Sequence, residues 1–528
     1  MCALSAAGCK RSHSNDAATP DGVTTEAGLE GDLEEAVAPT SEKSKIAARA
    51  METFVYEQPN IGSKKLGYLR AGAIVETRGA VAGKNGCPGG WVPIEPMGFV
   101  CMGREATAKL DDPIVKASWR RPDLNAGLPY GYAVVRNQGA PFYTKLPTKE
   151  EAKQFEPDWE HHFRTIDGAE GDEAKEGGYP QLSSMPGGKF PIEPSPGVLA
   201  AWATDNKDDE LPAFLGAGNY EPNLSGLVWS QRPVYDGGTS CDPKTKGCIP
   251  LDASRPRKRL GVSFVATFKV GERRWLQTTD LLLMPADRVR LVRGTSFHGV
   301  ELGKGKLELP IVFIKKEGAK RYDFDGHRMV VKDDAAWRAA IAATKKQRIV
   351  GGTKYQELSD GTYVKEEEVA RLDPIKKMPK WGKDGERWIE INIAKQTLLA
   401  VDGDTPVYAT LVSTGAGGLA SPSKENPYVT PRGIFRIHTK HAAATMDSNQ
   451  PEAEFELRDV PYIQYFKDGY ALHAAYWHDQ FGMPRSHGCI NLAPLDARYL
   501  FGFSKPELPK EWHGVMKALT GTVVWIHS

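Results

Sequence analysis

The 528-residue sequence has no uninterrupted apolar run long enough to cross a bilayer as a helix, so no transmembrane helix is read from it. It has no excess of charge either. Its 68 Lys and Arg nearly cancel 67 Asp and Glu, the formal net charge is +1, and no block of basic residues stands out. A protein that tracks phosphates needs such a patch, so no nucleic-acid partner is expected. CxxC and HExxH spacings are also missing. His473, His487 and Cys489 are residue types that could ligate zinc, but without those spacings neither a metal nor a cofactor is expected. Apolar residues make up 40% of the chain and charged residues 26%, as in ordinary folded proteins. At roughly 100–200 residues per domain, the length suggests about three to five domains.

Cysteine is sparse, and its placement is informative. Cys87 and Cys101 flank a Gly-rich stretch, and Cys241 and Cys248 bracket the loop CDPKTKGC. Both pairs read as small disulfide loops of an oxidising compartment, the alternative being four unrelated buried thiols. Cys2, Cys9 and Cys489 remain. The start, MCALSAAGCKRSHSND, resembles the tail of a lipoprotein signal with Cys9 as the lipidated residue, although the charged and long apolar regions of such signals are missing. That resemblance implies an exported protein, periplasmic or anchored as a membrane lipoprotein, because acyl chains bind membranes additively. Residues 10–50 are polar, with few aromatics, and read as a tether.

Residues 51–103 hold short β-type runs separated by Gly and Pro, such as KKLGYLRAGAIVETRG and GWVPIEP, which fits a small barrel. They resemble the bacterial SH3-like modules attached to cell-wall enzymes; an arbitrary small β domain is the alternative. Residues 104–300 and 301–375 carry a weak internal repeat. ELPIVFIKKEGAKRYD echoes YGYAVVRNQGAPFYTK, and TKYQELSDGTYVKEEEVARLD echoes RRWLQTTDLLLMPADRVRLV. They are read as two further SH3-like units, the first with a long insertion at about 145–255. DDAAWRAAIAATKKQ suggests a short helix.

From about 380 to 528 the alternation sharpens. Two strands are expected about the DGD turn of RWIEINIAKQTLLAVDGDTPVYATLVSTG, one across PRGIFRIHTKH, two around the KDG turn of YIQYFKDGYALHAAYW, and a last one in TGTVVWIHS. APLDARYLFGF has a helical spacing of apolar residues, with Pro near its start.

The run HAAYWHDQFGMPRSHGCINL carries the chemistry. A thiol of ordinary pKa is only a few per cent ionised near neutrality, and a nearby imidazole can take its proton or hold the thiolate. His473 and His487 are the candidates beside Cys489. Gly488 opens space for a bulky acyl group, and successive N–H groups in such a turn can form an oxyanion hole. His478 reads as a structural or rim residue, and His438 and His441 as solvated strand ends. Tyr462, Tyr465, Phe466, Tyr476 and Trp477 read mostly as core, with one or two lining a groove.

His473, a spacer, then Ser486-His487-Gly488-Cys489-Ile490-Asn491 resembles the motif of the L,D-transpeptidase catalytic domain. IEINIAKQTLLAVDGDTPVYATLVSTG and TPRGIFRI are similar to its opening hairpin and its TPxGxF segment. The resemblance covers about residues 385–528. It implies a mainly β fold: a β-sandwich catalytic domain with one or two helices, preceded by SH3-like β-barrel modules. It further implies Cys489 as nucleophile, His473 as proton donor and acceptor, and the Ala474 carbonyl orienting His473. Many relatives have Gly or Ser where Ala474 stands. Backbone N–H groups of His487, Gly488 and Cys489 would hold the oxyanion, and Ser486, Asn491, Tyr476 and Trp477 would meet substrate. The implied partners are peptidoglycan stem peptides, a wall-attached protein as acceptor, and carbapenem β-lactams as inhibitors. The alternatives are an L,D-carboxypeptidase or endopeptidase using the same thioester, and a catalytically silent wall-binding scaffold.

Overall fold

A computed structural model describes residues 10–11, 44–118, 120–135, 140–143, 147–156, 260–270, 273–292, 294–423, 426–448, 455–516, 518 and 520–528. Cys2, Cys9, Cys241, Cys248 and nearly all of the 145–255 insertion lie outside them. The fold is mainly β, as expected.

Residues 387–527 are built on two sheets. In the first, Thr405–Leu411, Thr397–Asp402, Arg387–Asn392, Val523–His527 and Gly433–Arg436 lie side by side in that order. In the second, Thr439–Ser448, Phe455–Lys467, Tyr470–Ala474 and Ile490–Leu492 follow one another. Ile389, Ile391, Leu398 and Ala400 of the first sheet share one core with Leu472, Ala474, Ile490 and Leu492 of the second. Each large aliphatic side chain buried there contributes about 1.5–3 kcal/mol.

Helix Pro494–Phe503 closes the layer. Proline presets its first turn, and Ala497, Leu500 and Phe501 turn inward at i, i+3 and i+4. At its other end Lys440 donates to the Phe501 and Ser504 carbonyls at 2.6 and 2.9 Å, filling acceptors that a helix C-terminus leaves open.

Three strand expectations change. The opening segment forms three strands rather than two, because Asn392 accepts the Lys395 N–H at 2.8 Å and Gln396 takes a left-handed φ of 56°. A glycine-free turn of this kind leaves little trace in composition. PRGIFRIHTKH splits at Ile437–His438, and its halves enter different sheets. DDAAWRAAIAATKKQ is not a helix: Met329–Asp334 and Ala340–Val350 are strands about a turn in which Arg338 has φ 64°. Strand pairing to Thr353–Leu358 overrides the alanine-rich propensity.

The N-terminal segment also departs from expectation. Lys45–Ala48 is a strand with Ile46, Ala47 and Ala48 fully buried, not tether, and Lys10–Arg11 pairs with Met446 and Asp447. Cys87 and Cys101 form a disulfide, as expected.

The internal repeat has a structural counterpart. Arg273–Thr278, Leu283–Pro285, a 3-10 turn and Val289–Val292 match Thr353–Leu358, Tyr363–Lys365, a 3-10 turn and Val369–Leu372, element for element and length for length. An eleven-residue strand precedes each set, Leu260–Val270 and Ala340–Val350.

These units are joined to the second sheet by backbone pairing. Lys65–Leu69 pairs with Gly514–Val515, which pairs with Lys440 and His441. Leu260–Gly261 runs parallel to Glu456–Leu457.

A buried charge marks the junction. Asp459 is 3% exposed and receives Arg70 Nη1 at 2.6 Å, Ser263 Oγ at 2.8 Å, and the Thr279 hydroxyl. Burial alone would raise its carboxyl, but the Arg70 guanidinium wins and holds it down at about 2.

Candidate active site

Tyr470–Ala474 and Ile490–Leu492 pair in parallel, with His473 opposite Asn491. Parallel neighbours require a crossover, and residues 475–489 provide it. The spacing between the two motif residues is therefore the length of chain needed to leave one strand and return beside it.

Side chains alternate along a pleated strand. Leu472, Ala474, Ile490 and Leu492 face the inter-sheet core. Ala471 and Cys489 belong to the apolar cluster on the opposite face, with Tyr132, Tyr465 and Tyr476. His473, Cys489 and Asn491 thus take the face opposite the main core.

His473 is 1% exposed, and its Nδ1 lies 2.9 Å from the Ala474 carbonyl, the contact the motif implied. A carbonyl can only accept, so Nδ1 carries the proton and Nε2 is the basic nitrogen. Nε2 is buried and makes no hydrogen bond. The Trp477 indole stacks against the ring, centroids 5.7 Å apart at 27°.

Cys489 carries no disulfide and is 0% exposed. Its Sγ approaches the Gly469 carbonyl at 3.7 Å. In this closed arrangement the thiol is not hydrogen-bonded to His473 Nε2 and is covered from solvent. Catalytic hydrogen bonds often tighten only when substrate is bound.

The turn before Cys489 is held at several points. Ser486 Oγ accepts the Gly488 N–H at 3.0 Å and donates to the Cys489 carbonyl. Thr430 Oγ1 donates to the Gly488 carbonyl at 2.8 Å and accepts the Gly415 N–H at 2.8 Å. Gly488 has φ 121°, and a Cβ there would sit 2.6 Å from the Tyr470 ring, so this position requires glycine.

The Gly488 N–H is thus engaged by Ser486, and an oxyanion there would have to displace that hydroxyl. The hydroxyl proton of Ser486 and one of its lone pairs are used within the turn. The His487 ring lies edge-on to Tyr428 at 4.5 Å and against Phe455 at 5.1 Å.

Two other placements correct the sequence reading. Tyr476 is 0% exposed and packs on Tyr132 at 4.4 Å, so in this arrangement it is a core residue, covered as fully as Cys489. Its bulk fills the seam with the preceding unit, where Gly261 leaves room for its hydroxyl. His441 is no solvated strand end: it is fully buried, its Nδ1 3.1 Å from the Tyr68 hydroxyl. Tyr462, Tyr465 and Phe466 are core, as expected.

One pair was not foreseen. His478 Nε2 and Asn491 Nδ2 lie 2.8 Å apart, and the Gln480 N–H donates to His478 Nδ1 at 3.2 Å. Burial, then the charge of Arg485, pushes His478 well below the usual histidine range, so the ring is neutral and its Nε2 carries the proton. A 180° rotation of the Asn491 amide gives that N–H an acceptor in Oδ1, which otherwise has no partner. In sequence, His478 offered only its closeness to Trp477.

Residues 386–526 match the family model of the YkuD L,D-transpeptidase catalytic domain. No curated protein matches the chain. Among solved structures, an L,D-transpeptidase from Xylanimonas cellulosilytica is 22% identical, covering 29% of this chain and 65% of its own, with a TM-score of 0.20. The catalytic domain of an E. faecium L,D-transpeptidase is 22% identical, covering 27% and 98%, with a TM-score of 0.20. An L,D-transpeptidase solved in complex with imipenem is 17% identical, covering 41% and 82%, with a TM-score of 0.21. The chain thus spans just under two thirds of the first of these. Over residues 386–526, the chain is similar to the YkuD L,D-transpeptidase catalytic domain.

Proposed function

We propose that this protein is a peptidoglycan L,D-transpeptidase that forms a thioester at Cys489. His473 takes the thiol proton, and Cys489 attacks the carbonyl between residues three and four of a stem tetrapeptide. The tetrahedral oxyanion collapses, the C–N bond breaks, and His473 returns the proton to the departing D-Ala amine. An acceptor amine from a second stem, or from a wall-attached protein, then attacks the thioester, its proton passing through His473 to the leaving thiolate. Splitting one difficult step into two is the gain of covalent catalysis.

The observation that carries this reading is the parallel register of the two motif strands, which sets His473 opposite Asn491 with Cys489 two residues before it. An imidazole with Nδ1–H fixed on a carbonyl and an unengaged Nε2 is in the tautomer that a general base requires. An exported location, periplasmic or lipid-anchored through Cys9, belongs to the same proposal.

The test is incubation with a carbapenem and with purified muropeptides. A carbapenem mass adduct on Cys489 together with cross-linked dimers supports the transpeptidase. Trimmed monomers alone would reassign it as a carboxypeptidase. The complete burial of Cys489 favours the second reading, a silent wall-binding scaffold; a folded protein that never acquires an adduct establishes that reading instead.

A further inference from the structure

We propose that Arg338, in the 301–375 unit, is a positioning residue for the Cys489 site and fixes the crossover loop between His473 and Cys489. The inference rests on the transpeptidase reading and adds to it a role for an N-terminal unit.

The guanidinium reaches out of its own unit. Arg338 Nη1 donates to Asp479 Oδ1 at 2.5 Å, and Nη2 donates to the Asp479 carbonyl. One side chain thus binds both the carboxylate and the backbone of a single loop residue. The pair is largely buried, with side chains 8% and 10% exposed.

The arginine is itself held. Its N–H donates to the Ile314 carbonyl at 2.8 Å. Its guanidinium lies 3.8 Å from the Trp337 ring centroid, and Trp337 Nε1 donates to the Lys315 carbonyl at 3.1 Å. Its φ of 64° is one that non-glycine residues rarely adopt. Buried ion pairs are poor sources of stability, because desolvation offsets the attraction. A strained backbone and a buried charge at one position fit a requirement for geometry better than one for stability.

The path from Arg338 to the site is short. Asp479 follows His478, which pairs with Asn491 at 2.8 Å, and Asn491 is the register partner of His473. Phe297, from the segment leading into the unit, stacks on Phe481 at 5.9 Å, and Phe481 packs on His478 at 5.1 Å. Movement of Asp479 therefore reaches the strand Ile490–Leu492, which directly follows Cys489.

The test uses the full chain with Arg338→Ala, Arg338→Lys and Asp479→Asn. Stopped-flow acylation by imipenem gives the rate at saturation and the half-saturating concentration separately. The pH profile of iodoacetamide alkylation at Cys489 reports the environment of the thiol. Arg338→Ala is expected to lower the saturating rate about 10- to 100-fold, the cost of small misplacement, with half-saturation little changed and the alkylation profile shifted. Arg338→Lys recovers only part, since an ammonium cannot hold both oxygens. Asp479→Asn keeps the backbone contact and serves should Arg338→Ala fail to fold. Folded variants with the wild-type rate and profile overturn the proposal. If the wild type itself takes no imipenem, the transpeptidase reading falls, and the alkylation profile alone decides the role of Arg338: a shift supports it, and none overturns it.

Discussion

The imidazole of His473 stacks on the indole of Trp477, with centroids 5.7 Å apart and planes at 27°. With Nδ1 on the Ala474 carbonyl, the ring is fixed both in its plane and on one face. Trp477→Ala is expected to lower turnover about 10-fold or more through loss of this orientation, while Trp477→Phe retains most of it. Steady-state rates on muropeptides check this. A change confined to KM would return Trp477 to a substrate-binding role.

Cys489→Ala should abolish carbapenem adducts and leave the melting temperature close to wild type. His473→Ala should slow acylation about 10²- to 10⁴-fold, the usual worth of a positioned base. Mass spectrometry over a time course measures both. A wild-type rate in His473→Ala would move the base to His487.

Ser486→Ala leaves the Gly488 N–H and the Cys489 carbonyl without their partner, at an expected cost of about 1–3 kcal/mol. Urea denaturation gives the value. An unchanged midpoint together with faster acylation would mean that Ser486 restrains the Gly488 N–H rather than supporting the turn.

Arg70→Ala strands the buried Asp459 carboxylate between three parts of the chain and should cost about 3–5 kcal/mol. Double substitution with Asp459→Asn should cost less than the sum of the two single changes. Additive costs would show that the pair does not couple the units.

Acid should destabilise the protein. Burial pushes His478 and His513 well below 6.5, so below that pH the unfolded chain binds more protons, and stability falls as pH falls. Asp496 works in the other direction: burial raises its carboxyl to about 6, so between 3.8 and 6 the folded state binds the extra proton. His438, lowered by burial, adds to the loss, while His527, raised by its hydrogen bond to Glu390, and Glu105, raised by burial, oppose it. The fully buried His478 and His513 are the groups pushed well below their usual range, so a net loss is expected on going from pH 7 to pH 5. Denaturation midpoints across that range test this, and a flat or rising profile would contradict it.

Much of the catalytic segment was legible because its signals are local. A KDG turn, a helix opened by Pro494 and alternating apolar runs each act within a few residues. The spacing of His473 and Cys489 was legible as a motif because a parallel crossover needs chain of about that length. The turn at Gln396, the split at Ile437 and the turn at Arg338 were not: the first rests on a glycine-free side-chain contact that composition does not mark, and the other two on which strands the flanking segments pair with.

By itself the sequence determined the chemistry available: a thiol, an imidazole, and a glycine where no Cβ fits. Tertiary structure alone decided that Tyr476 and His441 are sealed into seams between units, that Thr430 holds the Gly488 carbonyl, and that Arg338 reaches across to Asp479. The physical reason is range. Backbone propensity and side-chain alternation act over a turn or a strand, whereas burial and hydrogen-bond partnership are set by whichever surface arrives on the other side.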